Sequence, residues 1–167
     1  MLKKLELEKL LQVGLETGAD FSEIFLEDTL SRNIRVNNGE VTNISEGNLY
    51  GVGVRLLKGI DEVYGYTNDV SYESIYNLMV NLRASFNASP NKVTPLGDKK
   101  PYVSNIKIPH DKLTSKEKSQ TLIKLSNIMK EYDPKIVQST TALVEWTQNI
   151  LVCNSKGIYQ DDKRVYT

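Results

Sequence analysis

The stretch from residue 18 to residue 59 constrains the fold more than any other part of the chain. Four runs in it alternate apolar and polar residues with period two, at 21–29, 32–37, 40–45 and 49–57. Such alternation indicates β-strands with one buried face. Asn37-Asn38-Gly39 can supply the positive φ angles of a tight hairpin, and Glu46-Gly47-Asn48 predicts another turn. The stretch therefore predicts a twisted antiparallel sheet.

The last of these runs has unequal faces. Val52, Val54 and Leu56 share one face, whereas Gly51, Gly53 and Arg55 occupy the other. Two glycines on one face of a strand predict a bulge or a close approach by other backbone. Since Arg55 stands among glycines and apolar residues, it can either face solvent or satisfy a buried carboxylate.

Three helices are predicted around this sheet. The first covers roughly residues 3–17, and Ser71 caps a second whose apolar stripe recurs at helical spacing. Thr114 and Glu117 form the capping box of a third helix. Its predicted buried stripe consists of Leu122, Leu125, Ile128 and Met129.

The remaining chain completes an α+β fold. Residues 88–113 predict an irregular segment, and further strands are predicted at 136–144, 147–153 and 158–161. A strand at 63–67 follows the first four. We expect a curved, mainly antiparallel sheet with two long helices packed on one face and an N-terminal helix covering an edge. Parallel pairing is possible where helices two and three act as crossovers.

Charge and cysteine content exclude several classes of protein. Lys plus Arg and Asp plus Glu both number 21, which argues against a dedicated nucleic-acid binder. The single Cys153 rules out an internal disulfide, as expected for a reducing compartment. No apolar run approaches the ~20 residues that span a bilayer. We therefore predict a cytoplasmic protein with no membrane partner.

The residues that usually carry catalysis are scarce. The chain has one His and one Cys, whereas a catalytic zinc needs about three protein ligands. We interpret His110 as a solvated loop residue in preference to a general base, and Cys153 as a small buried hydrophobic residue. Gly51-Val52-Gly53 lies within a strand and is not a dinucleotide fingerprint. We predict no catalytic residue and no metal ligand in this chain.

A family resemblance covers nearly the whole chain. GADFSEIFLEDTLSRNIRVNNGEVTNISEGNLYGVGVR, followed by GYTND before a helix, resembles the N-terminal domain of the TldD/PmbA family. SKEKSQTLIKLSNIMKEYDPKIVQ and VEWTQNILVCNSKGIYQDDKRVYT continue the match. The short strand-to-helix spacing and the SKEK…YDPKIVQ segment look more TldD-like than PmbA-like.

This resemblance implies a division of labour. Family members are cytoplasmic proteins once described as modulators of DNA gyrase. The TldD-type members are zinc metallopeptidases that act on unfolded or peptide substrates, and PmbA-type partners lack the metal. Their HExxxH metal helix lies beyond the N-terminal domain and is absent from this sequence. We therefore expect residues 1–167 to be one N-terminal domain of a longer protein, with zinc in the missing C-terminal domain and no cofactor here.

Two functions follow as hypotheses. In the first, this domain is non-catalytic, builds one wall of a cleft for extended peptides, and supports a homo- or hetero-oligomer with a family member. An exposed sheet edge can bind peptide through main-chain hydrogen bonds. In the second, it is a protein-interaction module, with gyrase or another protein as partner and no peptidase role. The predicted contact surface comprises Asn33, Arg35, Arg55, Tyr66, Thr67 and Asn68.

Overall fold

Three α-helices and a five-stranded antiparallel sheet make up the part of the chain that the structure, a computed structural model, describes: residues 2–100, 106 and 108–167. The sheet has the strand order β3-β2-β1-β4-β5. The elements in chain order are α1 (Lys4–Leu15), β1 (Phe21–Asn37), β2 (Glu40–Lys58), β3 (Asp61–Thr67), α2 (Tyr72–Arg83), α3 (Ser115–Tyr132), β4 (Thr140–Asn154) and β5 (Tyr159–Tyr166). The α+β prediction is confirmed, and the parallel pairing considered at the helix crossovers is not found among these strands.

Strands β1 and β2 are longer than their sequence predicts. The predicted break near residue 30 and the predicted turn at Glu46-Gly47-Asn48 are both wrong, since each strand runs through without interruption. Ser31 Oγ donates to the Gly47 carbonyl at 3.1 Å, and Arg32 Nε lies 2.6 Å from Glu46 Oε2. These cross-strand bonds keep the two strands paired through a segment that favours a turn locally. The predicted break within β4 is wrong in the same way.

The hairpin between β1 and β2 confirms the predicted tight turn. Asn38 and Gly39 have φ angles of 51° and 82°, as a two-residue turn of this kind requires. The turn is also fastened to other elements. Asn38 N donates to the Ser139 carbonyl at 2.9 Å, and Gly39 N donates to Ser126 Oγ of α3 at 2.9 Å.

The described residues form two compact units, each built from several stretches of chain. Within the described residues, unit 1 draws on 2–28, 49–100 and 149–163, and unit 2 on 29–48, 106, 108–148 and 164–167. The strands β1, β2, β4 and β5 each contribute residues to both units.

Helices α1 and α2 form the core of unit 1 against the sheet. Its fully buried side chains include Leu7, Leu10, Leu11, Ile24, Val54, Leu56, Ile75 and Met79. A Cβ atom at Gly14 would lie 2.6 Å from Leu56 Cδ2 and 2.6 Å from Ser22 Oγ. Helix α1 therefore lies over the face of β1 and β2, and the prediction that it covers an edge is wrong. The predicted Ser71 cap of α2 is confirmed, because its side chain accepts a bond from Ser74 N at 3.3 Å.

Helix α3 belongs to unit 2 and turns an unexpected face to the sheet. Its capping box is confirmed: Thr114 Oγ1 accepts from Glu117 N at 3.2 Å, and Glu117 Oε2 accepts from Thr114 N at 2.8 Å. The predicted buried stripe is wrong except for Leu122. The buried residues of α3 are Lys118, Ser119, Leu122 and Ser126. Polar bonds decide this orientation: Ser126 Oγ lies 2.6 Å from Ser139 Oγ, and Thr141 Oγ1 donates to the Leu122 carbonyl at 3.0 Å.

The segment predicted to be irregular contains little regular structure where it is described. Residues 88–100 contain no helix or strand, and a single 3₁₀ turn spans His110–Lys112. The remainder of that prediction, at 101–105 and 107, lies outside the described residues. None of the described helices combines the length and the apolar character needed to cross a bilayer.

Candidate functional site

The predicted contact residues of unit 1 lie at the β2–β3 pair. Arg55 is paired with Tyr64 and Gly53 with Tyr66, so these four residues share the face away from the helices. Tyr64 and Tyr66 are 59% and 74% exposed. A Cβ atom at Gly53 would lie 2.6 Å from the Tyr64 hydroxyl. The close neighbour of Gly53 is thus an aromatic side chain and not the predicted backbone. The predicted close approach by backbone occurs at Gly51, where a Cβ atom would lie 2.8 Å from the Thr67 carbonyl oxygen.

Arg55 satisfies a carboxylate, one of the two roles that its neighbours predict. Its Nη2 atom lies 2.8 Å from Glu23 Oε1, and its guanidinium lies 5.9 Å from the centre of the Phe21 ring. Its Nε atom is buried and has no hydrogen-bond partner in the described structure. The side chain is thus fixed by β1 and offers a positive charge beside two exposed tyrosines.

Thr67 and Asn68 lie where β3 leads into α2. Thr67 is paired with the buried Val52, which places it on the helix side of the sheet. Its Oγ1 atom lies 3.3 Å from Ser74 Oγ and accepts a bond from Asp69 N at 3.1 Å. Asn68 is exposed beside Gly51. Of the predicted residues in unit 1, Arg55 and Tyr66 therefore share a face, whereas the Thr67 hydroxyl joins β3 to α2.

Unit 1 also contains a cleft of about 660 Å³ on its helix side. Leu2, Leu26, Val70, Tyr72 and Leu151 supply apolar walls, and the carboxylates in the lining are those of Glu6, Glu27, Asp28 and Asp161. Glu6 and Asp161 already have partners: Glu6 Oε2 accepts from Lys3 N at 2.7 Å, and Asp161 Oδ2 lies 2.7 Å from Lys99 Nζ. They hold the local structure together and are not poised as an acid–base pair.

In unit 2, the outer side of β2 is unpaired along residues 40–48, which we call the β2 edge. Strand β3 pairs with β2 only from Val52 to Lys58, and β1 lies on the opposite side. Within the described ranges no strand lies beside the β2 edge, and all of its residues are exposed. It contains neither Lys nor Pro, the residues that commonly protect sheet edges from pairing. Its outward main-chain groups are available to a partner strand.

The other two predicted residues, Asn33 and Arg35, lie on β1 beside this edge. Arg35 is exposed. Asn33 lines a polar pocket of about 240 Å³ together with residues of β2, α3 and β4. Its Oδ1 atom is buried without a hydrogen-bond partner in the described structure.

Two ion pairs line the same pocket. Lys118 Nζ lies 2.7 Å from Glu145 Oε2, and both side chains are almost fully buried, at 9% and 8% exposed. Arg32 pairs with Glu46 across the hairpin. The hydrogen bond to the Glu46 carboxylate raises the pKa of Arg32 above its usual value, so this guanidinium stays charged.

Sequence reasoning missed the Lys118–Glu145 pair. The available signal was spacing: Lys118, Leu122 and Ser126 stand four residues apart along α3, so a buried Leu122 implies a buried Lys118. The partner could not be found in this way, because Glu145 lies on a strand 27 residues further along the chain.

The residues considered for catalysis, His110 and Cys153, lie in different units. No group of three His, Cys, Asp or Glu side chains within residues 2–100, 106 and 108–167 is arranged to hold a metal ion. The described residues therefore do not fit a zinc site. His110 Nε2 lies 2.8 Å from Thr167 Oγ1 and its carbonyl accepts from Lys118 Nζ. Cys153 is fully buried in the core of unit 1.

Cys153 should make stability depend on alkaline pH. Burial raises the pKa of its thiol to about 12 from 9.0, with a further contribution from the charge of Glu23. A raised pKa in the folded state favours the neutral thiol, so its contribution is complete below pH 9.0 and is lost as the pH rises towards 12. In this window the free energy of unfolding of the parent chain should fall more steeply than that of Cys153→Ala, by about 1.4 kcal/mol per pH unit. Urea unfolding at several pH values measures both slopes, and equal slopes would contradict the prediction.

Comparisons with known proteins agree with this architecture. A family model described as the PmbA/TldA metallopeptidase domain 1 matches residues 22–85, and a model described as the PmbA/TldA metallopeptidase central domain matches residues 108–167. The chain belongs to the TldD/PmbA family.

A relative of this TldD/PmbA chain is the metalloprotease TldD homolog of Buchnera aphidicola subsp. Schizaphis graminum (strain Sg). The two are 26% identical over 151 residues, which cover 87% of this chain and 30% of the relative. The chain thus spans less than a third of the length of that relative.

Solved structures share the fold. A candidate modulator of a DNA gyrase from Thermotoga maritima superposes with a TM-score of 0.68 at 15% identity, covering 97% of this chain and 37% of that one. A second such candidate, from Bacteroides thetaiotaomicron, gives 0.60 at 14% identity, with 97% and 38% covered. TldE from Thermococcus kodakarensis gives 0.62 at 19% identity, with 96% and 37% covered. At these identities the likeness concerns the fold alone.

Proposed function

We propose that this chain is the non-catalytic N-terminal part of a TldD/PmbA-like metallopeptidase, where it shapes the cleft for unfolded peptide substrates and supports oligomer assembly. Family membership and the name of the Buchnera relative support the link to proteolysis. Zinc would be held by residues outside this chain, and no step of the proposal runs through it. We propose a cytoplasmic location, because a chain with a single cysteine has no internal disulfide, as is usual in a reducing compartment.

The observation that carries the proposal is the β2 edge. An extended peptide can add a strand to an exposed sheet edge, with main-chain hydrogen bonds giving affinity largely independent of sequence. That mode suits a substrate without fixed structure. Val41 and Ile44 are 40% and 58% exposed, so this edge also offers apolar contacts to a peptide's side chains.

Proline substitution tests this mode, because proline removes a main-chain donor. Consecutive residues of an edge strand direct their N–H groups alternately inward and outward. Of Asn43→Pro and Ile44→Pro, one therefore removes an outward N–H group, and the other breaks a bond to β1. We expect the variant that lacks the outward N–H group to keep its Tm and to bind a fluorescent extended peptide up to about tenfold more weakly, as the loss of one hydrogen bond implies.

Alanine variants distinguish the contribution of the main-chain donors to peptide binding from that of the side chains. Asn43→Ala and Ile44→Ala remove the same side chains but keep every main-chain donor. Asn43→Ala should bind the peptide nearly as well as the parent chain, and Ile44→Ala should lose only the contribution of its apolar contact. Peptides N-methylated at every residue should bind poorly, because neither of their edges keeps the donors that a new strand needs. If both proline variants bind like the parent, the edge is not the peptide site. Binding of a folded partner without any binding of unfolded peptide would favour the interaction-module alternative.

A further inference from the structure

The solvent side of α3 carries a stripe of apolar side chains, which we call the α3 stripe. Its members are Leu125, Ile128, Met129 and Tyr132, which are 47%, 52%, 38% and 88% exposed. They recur at spacings of three and four residues and so share one side of the helix. Contiguous exposed apolar patches of this kind mark interaction sites, in contrast to single exposed apolar residues.

Packing of α3 on its own unit does not require this stripe. The helix is held by Leu122, with Ile123 packed against the same cluster, and by polar bonds, including Lys118 to Glu145 and Ser126 to Ser139. An amphipathic helix usually turns its apolar side inward. Here the inward side is largely polar, and the apolar side remains available to a partner.

Charges beside the stripe indicate what that partner is. Lys124 and Glu131 are exposed, stand seven residues apart, and lie along one flank of the stripe. Consider two copies of α3 packed antiparallel about a twofold axis, with Leu125 of each opposite Ile128 of the other. In this register Thr121 of one copy lies opposite Tyr132 of the other. Lys124 of each copy lies beside Glu131 of the other copy, so an opposite-charge pair stands at both ends of the contact. A parallel pair would instead place Lys124 beside the apolar Met129.

We propose that the α3 stripe pairs antiparallel with α3 of a second copy of this chain, forming a twofold dimer. Each surface is complementary to itself, as a twofold interface requires. The proposal names the surface for the assembly role within the function proposed above. A single helix pair buries less than the ~1,200 Å² of a standard interface, so the dimer is weak and depends on protein concentration.

Charge reversal tests the register. Sedimentation velocity of the whole chain, across a wide range of concentrations at low salt, should show a monomer–dimer equilibrium. Lys124→Glu and Glu131→Lys each create like-charge contacts at both ends, so each should weaken the dimer on the order of tenfold. The double variant Lys124→Glu/Glu131→Lys should recover the parent affinity. Ile128→Glu, at the centre of the stripe, should leave only monomer.

Lys116→Glu is the matched control, since it makes the same change of charge on an exposed side of α3 away from the stripe and should leave the dimer intact. All variants are at exposed positions, so circular dichroism and Tm should match the parent. A chain that stays monomeric throughout, a dimer that survives Ile128→Glu, or a double variant that does not recover would each overturn the proposal. Peptide binding at the β2 edge is measured separately, so a monomer that binds peptide would refute the α3 dimer and leave the peptide role standing.

Discussion

Replacing Glu145 with alanine is expected to lower the free energy of unfolding of unit 2 by about 3–5 kcal/mol. The substitution leaves the Lys118 ammonium group buried, at 9% exposed, without its carboxylate 2.7 Å away. Leaving one buried charge without its partner costs far more free energy than the intact pair contributes to stability. The effect should therefore be among the largest that a single substitution produces in this unit.

A double substitution provides the control. Lys118→Met/Glu145→Leu replaces both charges with apolar groups of similar volume, which is often neutral or even stabilising. Urea unfolding followed by the fluorescence of Trp146, the one tryptophan of the chain, reports on unit 2 directly. If Glu145→Ala costs no more than the double variant, the pair is not the buried, mutually dependent contact described above.

Replacing Leu11 with alanine is expected to destabilise unit 1 by about 2–5 kcal/mol, through lost burial and the cavity left behind. Leu11 is 0% exposed at the centre of a core that α1 shares with α2 and the sheet. Close packing around Gly14, one turn further along α1, leaves little room for the helix to shift and fill the cavity.

Leu5→Ala on the same helix is the matched control. Leu5 is 62% exposed, so its truncation should change stability by no more than about 0.5 kcal/mol. The Cys153 thiol belongs to the same buried cluster as Leu11, and its rate of maleimide labelling in urea measures the opening of unit 1. Equal labelling of the two variants would show that α1 contributes little to this core.

Local signals predicted those parts of the fold that local chemistry determines. The Asn38-Gly39 turn, the Ser71 cap and the Thr114–Glu117 box are confirmed, because each depends on residues within one turn of chain. The predicted breaks in β1 and β2 failed because strand pairing overrides a weak turn signal such as Gly47. The predicted buried face of α3 is wrong. Apolar spacing identifies a stripe of side chains but does not show whether that stripe packs on the sheet or faces solvent.

The candidate site shows the same limit. The neighbours of Arg55 predicted either exposure to solvent or a buried carboxylate as partner. Its partner is Glu23, but the Glu23 side chain is only partly buried, at 19% exposed, and that of Arg55 is 40% exposed. The β2 edge could not be predicted, because its exposure depends on where the short strand β3 ends. The predicted surface residues are divided between the two units: Asn33 and Arg35 lie in unit 2, and Arg55 and Tyr66 lie in unit 1. No local sequence pattern distinguishes the residues of one unit from those of the other.

The hairpin turn also affects the rate of deamidation of this protein. An asparagine followed by glycine deamidates when the glycine nitrogen attacks the asparagine side chain and closes a succinimide ring. Here the Gly39 nitrogen is engaged by a serine hydroxyl of α3, and Asn38 Oδ1 accepts a bond from Ser139 N at 3.0 Å. The contacts that fasten the hairpin thus also protect its most labile dipeptide, so damage at Asn38 would mark molecules in which the turn had come loose from α3.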